Sequence, residues 1–269
     1  MALRAFLLAG LLVASPAPVI TVDGAPAQGA LLRGTAPDGT VALTLDGRPV
    51  PFAPDGRFLI GFDRDAGAVA TLTAELADGR EIRMPIAVAR RSWPVQHINM
   101  ARPAGGPTPE YARLRAGELA RIAAARARSS DGRGWAQAFI RPARGRFSGR
   151  FGAQRVYRGG VPAAFHSGLD IAAGGGAQVV APADGVVVLA PPPGFSLEGN
   201  LVIVDHGMGL SSAFLHLSRA SVTVGQRVRQ GEEIGRVGMT GRATGPHLHW
   251  SVVWNGVKVD PMTVLRAAR

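Results

Sequence analysis

Alternating apolar and polar residues, interrupted by Asp-Gly pairs, dominate the first hundred positions of the chain. Residues 41–45, 58–62 and 69–73 alternate with the period of a half-buried strand. Asp-Gly favours tight turns between such strands, and it occurs at 23–24, 38–39, 46–47, 55–56 and 78–79. The pattern predicts an Ig-like β-sandwich over residues 18–98. Because this region contains no catalytic grouping, we interpret it as an accessory module.

The next segment changes to a helical pattern. Thr-Pro-Glu at 108–110 is typical of a helix start, with a capping hydroxyl, proline at the first helical position and an early acid. An incomplete apolar stripe follows, made of Tyr111, Leu114, Leu119 and Ile122. Residues 99–143 are therefore predicted to be an Arg-rich helical linker with a solvated helix, and a surface-binding arm is the alternative.

Strand and turn patterns return in residues 144–269. Residues 177–189, 200–205 and 248–254 are rich in β-branched and apolar side chains. Trp250 and Trp254 are expected in the core of a sheet. The chain as a whole is predicted to be mainly β.

Composition narrows the possible functions. The 269 residues are 46% hydrophobic and 18% charged, which excludes disorder over most of the length. The absence of cysteine excludes disulfides, thiol catalysis and thiolate metal sites. Any bound metal must therefore be held by histidine and carboxylate side chains.

The net charge of +11 is concentrated in one stretch. Residues 101–160 contain thirteen arginines against Glu110, Glu118 and Asp131. Such an arginine belt suits polyanions such as nucleic acid, anionic lipid surfaces and cell-wall material.

The beginning of the chain favours export. Residues 1–17 combine a positive start, nine apolar residues and a small-residue patch, which is the pattern of a secretory signal peptide. We therefore expect an exported protein, periplasmic or associated with the cell wall. Export disfavours nucleic acid as a partner, and no segment is long and apolar enough to predict a transmembrane helix.

Five of the six histidines lie after residue 160. His247 and His249 are two apart in a β-rich run, so both side chains can reach one ion. His166 and Asp170 add an imidazole and a carboxylate four residues apart. Two histidines and one aspartate suit catalytic zinc, and the spacing leaves open whether His247 or His249 is the ligand.

Residues 145–262 resemble the lysostaphin-type, or LytM-like, zinc endopeptidases. The resemblance rests on the motif around His166 and Asp170 and on motifs that follow in the same order. These are Gly-Arg-Phe-Gly at 149–152, Val-Ala-Pro-Ala-Asp-Gly at 180–185, Ile-Val-Asp-His-Gly at 203–207, Phe-Leu-His-Leu at 214–217, Val-Gly-Gln-Arg-Val-Arg-Gln-Gly at 224–231, Ile-Gly-Arg-Val-Gly-Met-Thr-Gly at 234–241, Ala-Thr-Gly-Pro-His-Leu-His at 243–249 and Asp-Pro at 260–261.

The resemblance implies an antiparallel β-sheet with a long groove and one Zn²⁺ per chain. It implies that His166, Asp170 and His249 are the zinc ligands and that His216 and His247 are catalytic. It also implies that the substrate is the peptide part of peptidoglycan, and residues 144–269 are thus predicted to form the peptidase domain. Relatives often have tyrosine at the position of Phe214, so a hydroxyl near the groove is expected to be missing here.

The sequence leaves three alternatives to a peptidase. A catalytically silent protein that binds the wall and activates another hydrolase is the main one. A lipoyl- or biotin-type carrier requires a lysine in a hairpin turn, and Lys258, the only lysine, lies far from the matching hairpins. A nucleic-acid binder is disfavoured by export and by the lack of aromatic residues interleaved with the belt. His206 and His97 are expected to have structural or solvated roles.

Overall fold

The computed structural model describes residues 17–100 and 108–265. The predicted signal peptide lies outside these residues except for position 17, and the chain is mainly β as predicted. Strands β1 to β8 are Thr21–Asp23, Leu31–Thr35, Thr40–Leu45, Arg48–Pro49, Arg57–Gly61, Val69–Leu76, Glu81–Ala87 and Val95–Ile98. Helix α1 is Pro109–Arg126, and 3₁₀ turns lie at Gly134–Ala136 and Pro261–Thr263. Strands β9 to β21 are Arg146–Gly149, Gln154–Tyr157, Val161–Pro162, Leu169–Ala172, Gln178–Val180, Gly185–Leu189, Asn200–Gly207, Leu210–Leu217, Arg219–Ala220, Arg227–Val228, Glu233–Arg236, Leu248–Trp254 and Val257–Val259.

The N-terminal module contains two antiparallel sheets. One has the strand order β1-β2-β5 and the other β4-β3-β6-β7. The Asp-Gly pairs at 46–47 and 78–79 form hairpin turns, whereas those at 38–39 and 55–56 connect strands of different sheets. Inward side chains of both sheets, including Leu43, Phe58 and Leu72, belong to one core cluster. The Ig-like topology stays a prediction.

Helix α1 begins where the sequence predicts it. The Thr108 side chain accepts a hydrogen bond from the Tyr111 N–H at 3.2 Å. Of the incomplete apolar stripe, Leu114 and Leu119 are 54% and 52% exposed, as expected for a solvated helix, while Ile122 is buried. Ile122 packs with Ala125 against side chains of β14 and β15, so the helix rests on the sheet instead of crossing solvent.

The C-terminal region is built around a large antiparallel sheet. Its strand order is β18-β14-β15-β16-β20-β12-β9, and β21 also pairs with β20. Trp250 and Trp254 are buried in the core, as predicted. They lie on the face of β20 opposite to His249, since neighbouring residues of a strand point to opposite faces. Within the described ranges, no helix combines the length and apolar composition needed to cross a bilayer.

The N-terminal module packs directly against the C-terminal sheet. The core cluster that contains Phe58 also contains Trp254 and Val259. Strand β8 pairs with β10 in parallel, which adds a strand from the first module to the second. Arg91 forms an ion pair with the buried Asp260 at 3.0 Å. The two regions are thus joined by a core, a sheet and an ion pair as well as by the chain.

Candidate metal centre and active site

The residues predicted to bind metal meet at one point of the large sheet. Asp170 of β12 lies directly opposite His249 of β20 in the antiparallel register. Residues paired in this way point to the same face, so their side chains converge. Asp170 Oδ1 lies 2.8 Å from His249 Nδ1 and 3.0 Å from His166 Nε2, and the two ring nitrogens are 3.0 Å apart. The three side chains therefore form a compact His-Asp-His cluster, half-buried on the sheet.

Two glycines allow this close approach. A Cβ atom at Gly168 would lie 2.6 Å from His249 Nε2. A Cβ atom at Gly149 would overlap the Asp170 carboxylate. Because real Cβ contacts are never that short, larger residues at either position would push a side chain of the cluster out of place.

His216 and His247 lie beside this cluster. His247 immediately precedes β20, and its Nε2 is 3.9 Å from Asp170 Oδ1. The rings of His216 and His247 have centroids 4.9 Å apart. His216 is buried and is 6.3 Å from the His249 ring. All five side chains implied by the resemblance are therefore gathered at one site.

Backbone carbonyls orient both of these histidines. His216 Nδ1 lies 2.8 Å from the Thr240 carbonyl, and His247 Nδ1 lies 2.8 Å from the Gly245 carbonyl. A carbonyl oxygen can only accept, so each Nδ1 carries a proton. When such a ring carries no second proton, Nε2 has a free lone pair that can accept a proton from a substrate or water.

The backbone at His216 is held in an uncommon conformation. Its φ of 64° lies in the left-handed region, which is costly for a residue other than glycine. The His216 N–H donates to the Glu198 carbonyl at 2.9 Å. The Glu198 carboxylate in turn binds Arg115 of α1 at 2.8 Å. The helix that the sequence predicts as a linker thus supports the loop that fixes His216.

Charges in the cluster suit metal ligation. Burial acts to raise the pKa of Asp170, but hydrogen bonds to His166 and His249 outweigh it and hold that pKa well below the usual range. Burial lowers the pKa of His249 and of His216. Burial acts to lower the pKa of His166, but its hydrogen bond to Asp170 outweighs burial and raises that pKa. A divalent metal binds an ionised carboxylate and neutral imidazoles, so metal binding would release any proton held on His166.

The donor set fits zinc. Histidine nitrogens and a carboxylate oxygen are common zinc ligands, and three of them leave a position open for catalysis. Tetrahedral ligands 2.0–2.1 Å from zinc are separated from one another by about 3.3 Å, and the three donor atoms here are 2.8–3.0 Å apart. A small movement of the side chains would accommodate the ion. Assignment of these residues as ligands remains our proposal.

His206 has the structural role that the sequence predicts. It is fully buried; its Nδ1 lies 2.8 Å from the Asp184 carbonyl and its Nε2 2.9 Å from the Ser212 hydroxyl. His97 is exposed in β8, away from the cluster. Asp205 accepts hydrogen bonds from Ser130 and from the backbone of Gly207.

The buried His206 makes the fold sensitive to acid. Burial lowers its pKa from 6.5 to about 4, so between those values the unfolded chain binds a proton that the folded chain does not. Above pH 6.5 the protonation of His206 therefore does not lower the free energy of unfolding. As the pH drops towards 4, that free energy falls by up to about 3 kcal/mol. We expect urea unfolding at pH 7.5 and 4.5 to show a smaller loss for His206→Gln than for the wild type. Equal losses in the two proteins would contradict this origin.

The expectation about Phe214 is wrong. Its ring is fully buried, and it pairs with Trp250 on the core face of the sheet. His249 points to the other face, so a tyrosine hydroxyl at position 214 would not reach the site. Phenylalanine instead of tyrosine at this position therefore takes no hydroxyl away from the His-Asp-His cluster.

Sequence reasoning missed the side chains that support the cluster. Thr240 lies within a motif quoted for the resemblance, but nothing in the pattern showed that its carbonyl orients His216. Arg64 and Trp93 of the N-terminal module contact the loop before His166. No local signal marks them, because their contacts join residues that are distant in the chain.

A large cleft lies elsewhere in the molecule. It has a volume of about 800 Å³ and separates the 51–57 segment of the N-terminal module from residues 126–136. None of the five predicted site residues lines it. Its size therefore does not identify it as the catalytic groove.

Comparison with known proteins bears on the same region. The model of Peptidase family M23 matches residues 164–261, which include all five site residues. The chain is 38% identical over 136 residues to peptidoglycan DD-endopeptidase ShyC of Vibrio cholerae, covering 50% of this chain and 31% of that protein. It is 46% identical over 99 residues to DD-carboxypeptidase/endopeptidase Mpg of Neisseria meningitidis, covering 37% and 22%. The chain thus spans less than a third of the length of these relatives.

A solved structure matches almost the whole chain. It is a Pseudomonas aeruginosa protein described as a peptidase M23, with 30% identity and a TM-score of 0.69. The match covers 91% of this chain and 96% of that one. The arrangement of the N-terminal module, helix and peptidase-like sheet is therefore shared with another protein.

Proposed function

The chain belongs to peptidase family M23, and from this premise we propose that it is a zinc-dependent endopeptidase that hydrolyses peptide cross-links or stem peptides of peptidoglycan. The observation that carries the proposal is the convergence of His166, Asp170 and His249 with His216 and His247. This combination provides both a three-donor site and two imidazoles beside it. We assign the first three residues as ligands of one Zn²⁺ and the last two as catalytic.

Zinc bound by the three donors would supply polarisation of a peptide carbonyl and activation of water. The chain's own residues would carry the protons. His247, with Nδ1 held by the Gly245 carbonyl, presents Nε2 towards the cluster and is placed to accept a proton from water. His216, held by the Thr240 carbonyl, is the second candidate for proton transfer or for stabilising developing negative charge.

The proposed substrate follows from the relatives. ShyC is named a peptidoglycan DD-endopeptidase, and Mpg a DD-carboxypeptidase/endopeptidase. Action on peptidoglycan requires a location outside the cytoplasm, which agrees with the predicted signal peptide over residues 1–17. We therefore propose an exported protein, periplasmic or wall-associated, with residues 144–269 as its peptidase domain.

The arginine belt contributes less to this proposal than the sequence predicts. Arg115 is mostly buried and paired with Glu118 and Glu198. Arg121 stacks on the Phe195 ring at 4.4 Å. Because these arginines make contacts within the protein, we propose that substrate binds at the His-Asp-His site and not along residues 101–160.

A paired measurement tests the proposal. Zinc content of the purified protein is determined, and release of peptides from purified peptidoglycan is followed with and without a chelator. We expect about one zinc per chain and release that stops with the chelator. Release that is insensitive to chelation would contradict zinc dependence. Zinc without release would favour the alternative, a catalytically silent activator of another wall hydrolase.

A further inference from the structure

A short loop holds His166 by three separate hydrogen bonds. Its side-chain Nδ1 lies 3.0 Å from the Arg150 carbonyl. Its backbone N–H donates to the Ala153 carbonyl at 2.7 Å, and its carbonyl accepts from the Gly152 N–H at 2.9 Å. The Nε2 atom of the same ring faces Asp170 Oδ1 and His249 Nδ1, each 3.0 Å away. The position of the loop at 150–153 therefore determines where the ring of His166 lies.

Arg64 of the N-terminal module holds that loop from behind. Its Nε donates to the Gly152 carbonyl at 3.0 Å, and its Nη2 donates to Gln154 Oε1 at 3.1 Å. The residue is 8% exposed, and its ion-pair partner Asp65 is largely in solvent. A buried guanidinium holds two acceptors in fixed directions because its donors form a rigid planar fork, whereas the three donors of an ammonium group rotate together.

Aromatic rings close the remaining space around the loop. Trp93 fills the position that a Cβ atom of Gly152 would occupy, and its Nε1 donates to the Arg64 carbonyl at 3.2 Å. Gly152 adopts a φ of +82°, which favours glycine. Phe165, the residue before His166, lies 5.2 Å under the Arg64 guanidinium. The N-terminal module thus contacts both the loop that holds His166 and the residue that precedes His166 in the chain.

We propose that Arg64 is a positioning residue for His166: the N-terminal module fixes the first metal ligand through the Arg64–Gly152 hydrogen bond. The importance of this contact for metal binding rests on the proposed function, whereas its effect on the loop does not. Partners that orient a metal-bound histidine typically contribute 10–100-fold to metal affinity. Arg64 acts one layer further out, so we expect an effect on the order of tenfold.

The test compares Arg64→Met with Arg33→Met in the full chain. Arg33 is also an arginine of the N-terminal module that donates to backbone carbonyls across the contact, those of Trp135 and Gln137 at 3.1 and 2.7 Å. It contacts no part of the loop at 150–154. Zinc affinity is measured by competition with a chromophoric chelator. Amide hydrogen exchange of the metal-free proteins is measured over residues 150–166.

We expect Arg64→Met to bind zinc about tenfold more weakly and to exchange faster over residues 150–166. Arg33→Met should match the wild type in both measurements. Arg64→Lys keeps the buried charge but restrains the loop less, so it should give a smaller change of the same sign. If Arg64→Met does not fold, the Arg64→Lys variant tests the proposal. Wild-type values for the Arg64 variants, or equal effects of the Arg33 variant, would overturn the proposal.

The same data separate this proposal from the proposed function. If the wild type binds no zinc, the assignment of a zinc endopeptidase fails. Exchange over residues 150–166 still reports whether Arg64 holds the loop. Faster exchange in Arg64→Met alone would then support positioning, and unchanged exchange would overturn it.

Discussion

Asp170→Asn is expected to abolish stoichiometric zinc and, with it, the release of peptides from peptidoglycan. The carboxylate is the only anionic group in the cluster and lies within 3.0 Å of donor nitrogens of both histidines. Asparagine has nearly the same shape but lacks the charge that a divalent ion requires. Loss of an outer-shell partner weakens metal binding by 10–100-fold, so loss of a ligand should cost more than about 100-fold. Zinc content and chelator competition measure the change, and His166→Ala should behave in the same way.

Asp131→Asn provides the control for this prediction. Asp131 is exposed and pairs with Arg227, away from the cluster. It should retain one zinc per chain and wild-type hydrolysis. Full zinc occupancy in Asp170→Asn or in His166→Ala would remove these residues from the proposed ligand set.

His247→Ala and His216→Ala are expected to separate metal binding from catalysis. Both residues lie next to the three-donor cluster without belonging to it. Loss of a group that transfers protons typically lowers the rate by 10²–10⁴-fold. Each variant should therefore retain about one zinc per chain while kcat falls by that factor. Metal content and initial rates on a purified peptidoglycan peptide measure the two properties separately.

His97→Ala is the matched control, because His97 is exposed in β8, which belongs to a different sheet from the strands that carry Asp170 and His249. It should leave both metal content and rate unchanged. Loss of zinc in His247→Ala would mean that this residue is a ligand. A normal rate in either variant would exclude that residue from proton transfer.

The parts of the candidate site that the sequence predicts are those whose residues lie close together in the chain. His247 and His249 are two residues apart, and His166 and Asp170 are four apart, so each pair is visible without a fold. The motifs of residues 145–262 added the order in which these pairs occur. What brings the pairs together is the register of β12 against β20, which places Asp170 opposite His249. Neither pair contains that information.

Packing between distant segments explains why the helical pattern does not predict which residues of α1 are buried. Leu114 and Leu119 resemble the buried positions of an amphipathic helix, but α1 meets the sheet through Ile122 and the charged Glu118. Glu118 is buried because Arg115 and Ser196 satisfy its carboxylate. Helical periodicity cannot predict a buried acid whose partner lies 78 residues away.

The parallel pairing of β8 with β10 also constrains the order in which the molecule forms. The paired residues are 59 positions apart, and helix α1 lies between them in the chain. Contacts of this kind form late, because the entropy of the intervening chain must be lost before they stabilise anything. We therefore expect the loop next to β10 to reach its final shape only after the first module has folded and docked. A chain whose first module has not docked is therefore expected to lack the contacts that hold His166 in place, so the His-Asp-His cluster would be the last part of the molecule to become ordered.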